Sequence, residues 1–386
     1  MTSRCKSPLR WFFLIVVYQL VIVSVLALVA MSWTRIKNQN RLVPRSPGPV
    51  HDDKSLRHSR YPTDLDITIL LENKSICHDV ETVSVLFMVH TAPSHTAHRQ
   101  TIRSTYANSS HYRTHSVKVI FLLGIQRQPG ESNIQTAIDL EHRLFGDIVQ
   151  GDFIDAYTNL TYKGVMGLKW ITANCNNVKY VIKIDDDVYV DTFNFFATFY
   201  NKSHRDVMMC HCWQAWSLLV ERRSRWRLSE FHMRHYASFP WNSCSGYAVI
   251  ISGALVPKLY KAALMSPFLW IDDVYLFGVL PELVGGVQRV HLLNKIRSNR
   301  TKREVLQCFN TSECKLVIAS ARIPDIHELW RARYSSYLTG HLVPVRTRVF
   351  KNGSYYIWDF KTQKTEIFMN DPREYNIPEI RTLLMQ

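Results

Sequence analysis

The sequence predicts an α/β domain with a largely parallel central sheet, preceded by one transmembrane helix and a stem. Three observations lead to this prediction. Strand-like and helix-like runs alternate between residues 82 and 200, as they do in chains that form parallel sheets. Within that stretch, the apolar residues Val181, Ile182 and Ile184 form a short run typical of a buried strand, which ends in three adjacent aspartates. Residues 11–33 are largely apolar and carry no charge.

The apolar N-terminal segment predicts a signal anchor. Residues 11–33 are long enough to cross a hydrocarbon core of roughly 30 Å as a helix, and too long for the apolar part of a typical cleaved signal peptide. The flanking charges leave the orientation open, but every glycosylation motif (Asn-x-Ser/Thr) follows the segment, at Asn73, Asn108, Asn159, Asn201, Asn299, Asn310 and Asn352. We therefore expect a type II membrane protein with a cytosolic tail at residues 1–10 and a luminal body.

The cysteines agree with a luminal body. Seven of the eight follow the apolar segment, on the side of the membrane where disulfides persist. Because seven is odd, at least one of them is free or pairs between chains. The C-x-C and C-x₅-C spacings also admit a zinc site, although no matching histidine spacing accompanies them.

Charge and composition divide the remainder of the chain. The net charge of +15 is spread over scattered Lys and Arg without a run of five, and the membrane segment favours a membrane-associated protein over a nucleic-acid-binding one. Residues 34–80 contain several prolines and mixed charge, which predicts a stem or linker. The luminal domain is expected at residues 81–335, followed by a C-terminal extension at 336–386 where the pattern weakens.

The luminal domain begins with alternating elements. The predicted strands are residues 82–89, 116–123, 147–153 and the run that ends at the aspartates. The predicted helices begin near Thr96, with Arg99 and Arg103 on one face, and cover residues 131–145, 160–174 and 192–200. After residue 207 the order is less regular, with a basic cluster at 222–227, a tight turn at Cys244-Ser-Gly246 and a helix at 252–265.

The three aspartates predict a metal site. Adjacent carboxylates repel one another, and ligands of open α/β sheets bind beyond the carboxyl ends of the strands. In an extended segment Asp185 and Asp187 share one face and Asp186 points to the other. Two carboxylates on one face suit Mg²⁺ or Mn²⁺ that holds a diphosphate. The alternative is a solvated acidic turn.

A second carboxylate pair, Asp272-Asp273, lies between hydrophobic, strand-like flanks some 85 residues later. It suggests a catalytic carboxylate in addition to the metal site. The alternative for this pair alone is a cap at the start of a helix.

Five motifs in order over roughly residues 80 to 290 resemble glycosyltransferase family 31, the inverting β-1,3-galactosyl- and N-acetylglucosaminyltransferases of the Golgi. Residues 99–106 are similar to R-x-x-I-R-x-T-W, with Tyr106 in place of Trp, and residues 152–170 to D-F-x-D-x-Y-x-N-L-T-x-K…W. The other matches are Lys183–Val190 with the D-x-D element, Phe239–Gly246 with Y-P-P-[FY]-C-S-G, and Asp272–Tyr275 with E-D-V-[YF].

The resemblance implies a GT-A-like nucleotide-sugar-binding fold, a UDP-sugar donor, Mn²⁺ and an acceptor hydroxyl. It implies that Asp185 and Asp187 hold the metal, that Asp273 is the catalytic base and that Asp272 orients the loop or the acceptor. Arg99, Arg103, Lys163 and Asp186 are further candidates for donor contacts, with Arg99, Arg103 and Lys163 alternatively serving in packing.

The expected activity is transfer of a hexose, most simply galactose from UDP-galactose, to a glycan on a glycoprotein, glycolipid or proteoglycan in β-1,3 linkage. Galactose is preferred because the 152–190 block most resembles the galactosyl members of the family. The alternatives are a non-catalytic luminal protein of the same fold that binds glycan or nucleotide, and a metal-dependent phosphohydrolase. Ala248 stands where the family usually has glycine, which narrows the backbone freedom there. A homo-oligomer is compatible with the sequence.

Overall fold

The computed structural model describes residues 65–126, 132–200, 205–292, 295–297, 301–309, 314–341, 355–359 and 364–368. The predicted cytosolic tail, the apolar segment 11–33 and most of the predicted stem lie outside the described residues. Among the residues that are described, no helix is long and apolar enough to cross a membrane.

The strands are β1 Ile69–Leu71, β2 Val83–His90, β3 Val117–Ile125, β4 Ile148–Ile154, β5 Val178–Asp185, β6 Val188–Val190, β7 Val207–Trp213, β8 Ser243–Ser252, β9 Gln288–His291, β10 Ile296–Arg297, β11 Ile318–Ser320, β12 Tyr355–Asp359 and β13 Lys364–Phe368. The main sheet of the described chain has the order β1-β4-β3-β2-β5-β8-β7-β9. Its central strands β4, β3, β2 and β5 are parallel, and β8 is antiparallel to β5. The predicted α/β class with a largely parallel centre is confirmed.

The helices are α1 Thr96–Ser104, α2 Ser132–Phe145, α3 Leu160–Asn174, α4 Thr192–Phe195, α5 Val256–Ala263, α6 Asp272–Val274, α7 Leu280–Val284, α8 Lys302–Phe309 and α9 Ile323–His341. A π-helical turn at Phe196–Tyr200 extends α4, and another at Tyr275–Val279 joins α6 to α7. The remaining described elements are a small sheet of order β10-β11-β6, the hairpin β12-β13 and 3₁₀ turns at Ser109–His111, Tyr157–Asn159 and Gly253–Leu255.

Strand β2 lies at the centre of the core, and all eight of its residues are buried. Because successive side chains of a strand point to opposite faces, Leu86 and Met88 pack with Trp170 of α3 on one face. Phe87 packs with Ile102 of α1 on the other face. Each such side chain stabilises the fold by about 1.5–3 kcal/mol. The carboxyl end of β2 is therefore held firmly, which positions the site described below.

The folded body begins earlier than residue 81. Leu65 and Ile67 are buried in the core, and β1 pairs antiparallel with β4. A disulfide joins Cys77 to Cys175 at the end of α3. Residues 65–80 therefore belong to the domain rather than to the stem. Strand β1 was not predicted because a strand of three residues is too short to show a periodic pattern.

Three further expectations are wrong in the second half. The segment Cys244-Ser-Gly246 is not a turn, because it lies within β8. The second aspartate pair is not flanked by strands, because helix α6 begins at Asp272 and continues as a π-helical turn. Helix α9 runs through residue 335, where the C-terminal extension was expected to begin.

The cysteine parity is confirmed within the described chain. Disulfides join Cys77 to Cys175, Cys210 to Cys244, and Cys308 to Cys314, which leaves Cys212 as a free thiol. Since the disulfides use one sulfur of the C-x-C pair and both sulfurs of the C-x₅-C pair, the zinc interpretation is not supported.

Candidate active site

The first acidic cluster lies where β2 and β5 end side by side. The two strands are parallel, and their register places His90 opposite Asp185. Strand β5 ends at Asp185, and the next two aspartates form a turn that leads into β6. The segment is therefore extended only as far as Asp185, so the expected alternation of side chains does not continue to Asp187.

Asp186 turns toward the end of β2 and the start of α1. Its Oδ2 accepts hydrogen bonds from the Thr91 hydroxyl at 2.5 Å and from Nδ1 of His95 at 2.8 Å. The His95 ring stacks on His98 with 4.2 Å between centroids. Ligand atoms of His95, His98 and Asp186 lie within 4.8 Å of one another, so this group could also hold a cation. Neither histidine was singled out from the sequence, although their i, i+3 spacing at a helix start places them on one face.

Lys183 links the two acidic clusters. Its side chain is 1% exposed, and its Nζ donates to Oδ1 of Asp185 at 2.7 Å and to the carbonyl of Gly246 at 2.6 Å. Burial alone would lower the pKa of this ammonium, but the surrounding carboxylates of Asp185, Asp272 and Asp273 raise it. Lys183 is therefore a buried cation facing three carboxylates.

No role for Lys183 was predicted from the sequence. The signal that could have found it is the i, i+2 spacing, which puts Lys183 and Asp185 on the same face of β5. From sequence alone, however, a buried lysine that pairs with a carboxylate at the end of its strand looks the same as a lysine whose long side chain reaches solvent from an apolar strand.

Asp273 packs against β8 at Gly246, which has no side chain. A Cβ added at Gly246 would lie 2.6 Å from the Asp273 Cβ, so a larger residue there would displace the aspartate. Oδ1 of Asp273 accepts the Val274 backbone N–H at 2.8 Å, and the Gly246 backbone also donates to this carboxylate. Glycine at position 246 thus allows the second acidic pair to approach the sheet closely.

Both carboxyls of the second pair have raised pKa values. Burial is the largest cause for Asp272, and the nearby charges of Asp273 and Asp185 add to it, so its pKa rises to about 7 despite the opposing effect of Lys183. Burial also raises the pKa of Asp273, while its backbone hydrogen bonds and Lys183 act in the opposite direction. Raised carboxyl pKa values of this kind suit proton transfer near neutral pH.

The D-x-D carboxylates carry charge that the protein only partly neutralises. Asp185 is 42% exposed at its side chain, and Asp187 is exposed. Although Asp187 is exposed as a residue, partial burial of its carboxyl group and repulsion from Asp185 and Asp186 raise its pKa. Asp185 and Asp187, which keep exposed surface on either side of the buried Asp186, form a donor set for a hard divalent cation. The residues present therefore fit the predicted metal.

Lys163 is brought to the same edge of the sheet from α3. It is 2% exposed, and its Nζ donates to the Thr91 carbonyl at 2.6 Å and to Asp155 at 2.9 Å. Burial lowers its pKa, whereas Asp155 and the nearby Asp186 raise it. Lys163 holds the segment after β2 in place through Thr91, which also contacts Asp186.

Arg99 and Arg103 are bound within the protein instead of being offered to a ligand. The Arg99 side chain is fully buried and pairs with Glu141 of α2 at 2.6 Å. Arg103 pairs with Asp147 at 2.7 Å and with Glu141 at 2.7 Å. Arg99 also donates to the carbonyl of Ala92, which fixes the loop between β2 and α1. The structure therefore favours the packing alternative over the donor contact.

Ala248 does not alter a ligand-facing surface. It is fully buried, and it pairs with Ile184 across the sheet. The position belongs to the core of β8, and the departure from the usual glycine does not touch the carboxylates.

The glycosylation asparagines are only partly placed by the structure. Asn73, Asn108 and Asn159 are half-buried and lie in turns or beside short helical turns. The remaining four, Asn201, Asn299, Asn310 and Asn352, lie outside the described residues.

Comparison with known proteins identifies the family. The family model described as Galactosyltransferase matches residues 97–292. The chain belongs to the galactosyltransferase family. The predicted resemblance to glycosyltransferase family 31 is thereby confirmed. The matched range contains nearly all of helix α1, which follows the loop after β2, as well as the D-x-D turn and the second aspartate pair.

Curated relatives of this galactosyltransferase-family member transfer amino sugars according to their names. The lactosylceramide 1,3-N-acetyl-beta-D-glucosaminyltransferase of Xenopus tropicalis is 29% identical, over 73% of this chain and 74% of that protein. The B form from Xenopus laevis is 30% identical, with the same coverage of 73% and 74%. The UDP-GalNAc:beta-1,3-N-acetylgalactosaminyltransferase 1 of Rattus norvegicus is 32% identical, over 54% of this chain and 63% of that protein.

Proposed function

We propose that this chain is an inverting β-1,3-glycosyltransferase that moves a hexose or N-acetylhexosamine from a UDP-sugar to a hydroxyl of a glycan acceptor. The observation that carries the proposal is the arrangement around Lys183. This one buried cation contacts Asp185 of the D-x-D turn and lies beside Asp272 and Asp273. A site that holds a diphosphate and a site that holds a base thus lie next to each other, as single-displacement transfer needs.

The donor would lie over the D-x-D turn. Asp185 and Asp187 would hold Mn²⁺ or Mg²⁺, with Asp186 fixed behind them by Thr91 and His95. When bound, the cation neutralises charge on the diphosphate leaving group. The sheet is proposed to be of the GT-A nucleotide-sugar type.

Asp273 would take the proton from the acceptor hydroxyl as that oxygen attacks the anomeric carbon of the donor sugar. The new glycosidic bond forms as the bond to UDP breaks on the opposite face, so the configuration inverts. Backbone N–H groups of Val274 and Gly246 hold the Asp273 carboxylate in position. The neighbouring Asp272, with its pKa raised by burial to about 7, is proposed to orient the loop.

Galactose remains the predicted donor sugar, and N-acetylglucosamine and N-acetylgalactosamine are the alternatives that the names of the relatives supply. The acceptor is proposed to be a glycan that ends in a β-linked galactose, since two of the relatives are named for lactosylceramide. We further propose that the protein resides in the Golgi membrane in type II orientation. The disulfides of the body support a luminal location.

The test is UDP release by the full-length protein in detergent micelles with Mn²⁺. UDP-galactose, UDP-N-acetylglucosamine and UDP-N-acetylgalactosamine are each supplied with and without p-nitrophenyl β-lactoside. We expect acceptor-dependent release from one donor, with a β-1,3 linkage in the product by NMR. The Asp187→Ala variant should lose this release, whereas Asp79→Ala, at an exposed surface ion pair with Lys118, should retain it. Release that does not depend on any acceptor would contradict transfer and indicate hydrolysis.

A further inference from the structure

The connection between β7 and β8, residues 214–242, is an ordered surface loop. Backbone hydrogen bonds join its two arms: the Trp216 N–H donates to the Phe239 carbonyl at 2.8 Å, and the Val220 N–H donates to the Ala237 carbonyl at 2.9 Å. A loop of this length without helices keeps one conformation only where specific contacts hold it.

Arg222 supplies part of that order from inside the loop. Its guanidinium donates to the carbonyls of Ser229 at 2.7 Å, His232 at 2.9 Å and Met233 at 3.0 Å. These bonds use the donors of Arg222 within the loop. The neighbouring Arg225 is exposed, and its guanidinium lies over aromatic rings.

Arg225, Trp226 and Tyr157 form an aromatic platform, by which we mean these three residues. The Trp226 Nε1–H donates to the Tyr157 hydroxyl at 2.9 Å, so the loop is joined to the turn after β4. The Arg225 guanidinium carbon lies 4.2 Å from the Trp226 ring centroid and 5.9 Å from that of Tyr157. Tyr157 is 54% exposed and Trp226 41%. Such rings offer an apolar face with a polar rim.

The platform is connected to the second aspartate pair. The Tyr157 ring lies 6.5 Å from that of Trp270, which precedes Asp272 by two residues. A glycan held at Asp273 by its terminal sugar could therefore place a following sugar unit toward these rings.

The platform carries positive charge that the protein does not neutralise. Within the described residues, the Arg225 guanidinium contacts two rings and forms no ion pair. Residues 214–242 contain five arginines and two glutamates. A ligand with an anionic group would supply the missing partner for Arg225, and such charge-assisted contacts are stronger than neutral ones.

We propose that the aromatic platform is an acceptor subsite that selects glycans with a sulfate or carboxylate on the sugar next to the one that receives transfer. The ring faces bind the apolar face of that sugar, and Arg225 binds its anionic group. The inference rests on the proposed transferase function. A membrane surface could also meet this loop, since Phe231 is 87% exposed. The glycan is favoured because the Trp226–Tyr157 bond ties the platform to the segment that leads to Asp273.

The test uses p-nitrophenyl β-lactoside and the same glycoside with a 6-O-sulfate on its glucose unit, so the terminal galactose is unchanged. Transfer kinetics and direct binding by saturation-transfer NMR are measured for the full-length wild type, for Arg225→Gln and for the charge-matched control Arg143→Gln, an exposed residue of α2. We expect the wild type to prefer the sulfated glycoside by about tenfold in kcat/KM and in affinity. Arg225→Gln should abolish the preference with the KM for the donor unchanged, and Arg143→Gln should keep it.

The outcomes separate this inference from the proposed function. Transfer to both glycosides without a preference overturns the subsite and leaves the transferase function standing. Selective binding of the sulfated glycoside without any transfer supports the subsite and overturns the transferase function. If Arg225→Gln instead weakens binding to phosphatidylserine vesicles and leaves glycoside selectivity intact, the loop contacts membrane and the inference is overturned.

Discussion

The proposed donor side and the proposed acceptor side of the site differ in how their charged side chains are paired. On the donor side, cations of the chain are paired with carboxylates of the chain: Arg99 with Glu141, and Lys183 with Asp185. On the acceptor side, Arg225 lies on aromatic rings and has no carboxylate partner among the described residues.

This difference indicates which charges build the site and which are offered to ligands. A buried charge without a partner is costly, so internal pairs such as those of Arg99 and Lys183 keep the strand ends in one arrangement before a ligand arrives. An exposed cation on a ring, such as Arg225, remains solvated and costs little until a ligand replaces the water. The proposed donor side is therefore preorganised, whereas the proposed acceptor side leaves positive charge available to a ligand.

The largest expected effect concerns Asp273, which lies where the two sides meet. Asp273→Asn keeps the size and the backbone hydrogen bonds but removes the base. Loss of a general base lowers kcat by about 10²- to 10⁴-fold. Steady-state kinetics with UDP-sugar and lactoside would measure the loss, and isothermal titration with UDP and Mn²⁺ should show affinity within about twofold of the wild type. A variant with full activity would remove Asp273 from the proposed mechanism.

The second prediction contrasts the two kinds of cation directly. Lys183→Met removes a buried cation and leaves Asp185, Asp272 and Asp273 facing one another, which should lower the free energy of unfolding by about 3–5 kcal/mol. Arg225→Gln removes a cation without an ion-pair partner and should change that free energy by less than about 0.5 kcal/mol. Urea unfolding of both full-length variants at pH 7 provides the measurement. Equal losses for the two variants would contradict the distinction between the two sides.

The third prediction concerns the close contact between Gly246 of β8 and Asp273, which lies where the two sides meet. In Gly246→Ala the new Cβ would lie 2.6 Å from the Asp273 Cβ, so the aspartate must move. Displacement of a catalytic group on this scale lowers kcat/KM by about tenfold or more. Because the D-x-D turn is not touched by this methyl group, UDP binding should persist. Unchanged kcat/KM would show that the position of Asp273 is not critical.

Much of the fold and the acidic clusters could be predicted from sequence, because they depend on local patterns. Helix α3 occupies the predicted residues 160–174, and the strand before the aspartates ends where it was expected to end. In elements of this length, burial of one face or of both faces produces a periodic pattern of apolar residues, which can be read directly from the sequence. Strand β1 has no such run, since it is three residues long and depends on pairing with β4.

The contacts within the site depended on tertiary structure. The partners of Arg99 and Arg103, Glu141 and Asp147, lie about 42 to 44 residues further along the chain. No short motif reveals that these charges meet, so the pattern favoured a surface or packing role for the two arginines but left donor contact open. The role of Lys183 depends likewise on β8 and α6, which approach β5 only in the folded chain.

The smallest expected effect is the pH dependence of transfer, which sharpens the assignment of the base. Burial raises the pKa of Asp273, and a base acts only when deprotonated, so kcat should fall as the pH is lowered through that raised pKa, approaching about tenfold per pH unit. The charge of Asp273 helps raise the pKa of Asp272 to about 7, so Asp272 is already neutral when Asp273 loses its proton, and Asp272→Asn should leave the acidic limb in place. Rate profiles from pH 5 to 8 for both proteins test this. An acidic limb that moves to lower pH in Asp272→Asn would contradict this order of titration, because only a charged Asp272 could hold the pKa of Asp273 up.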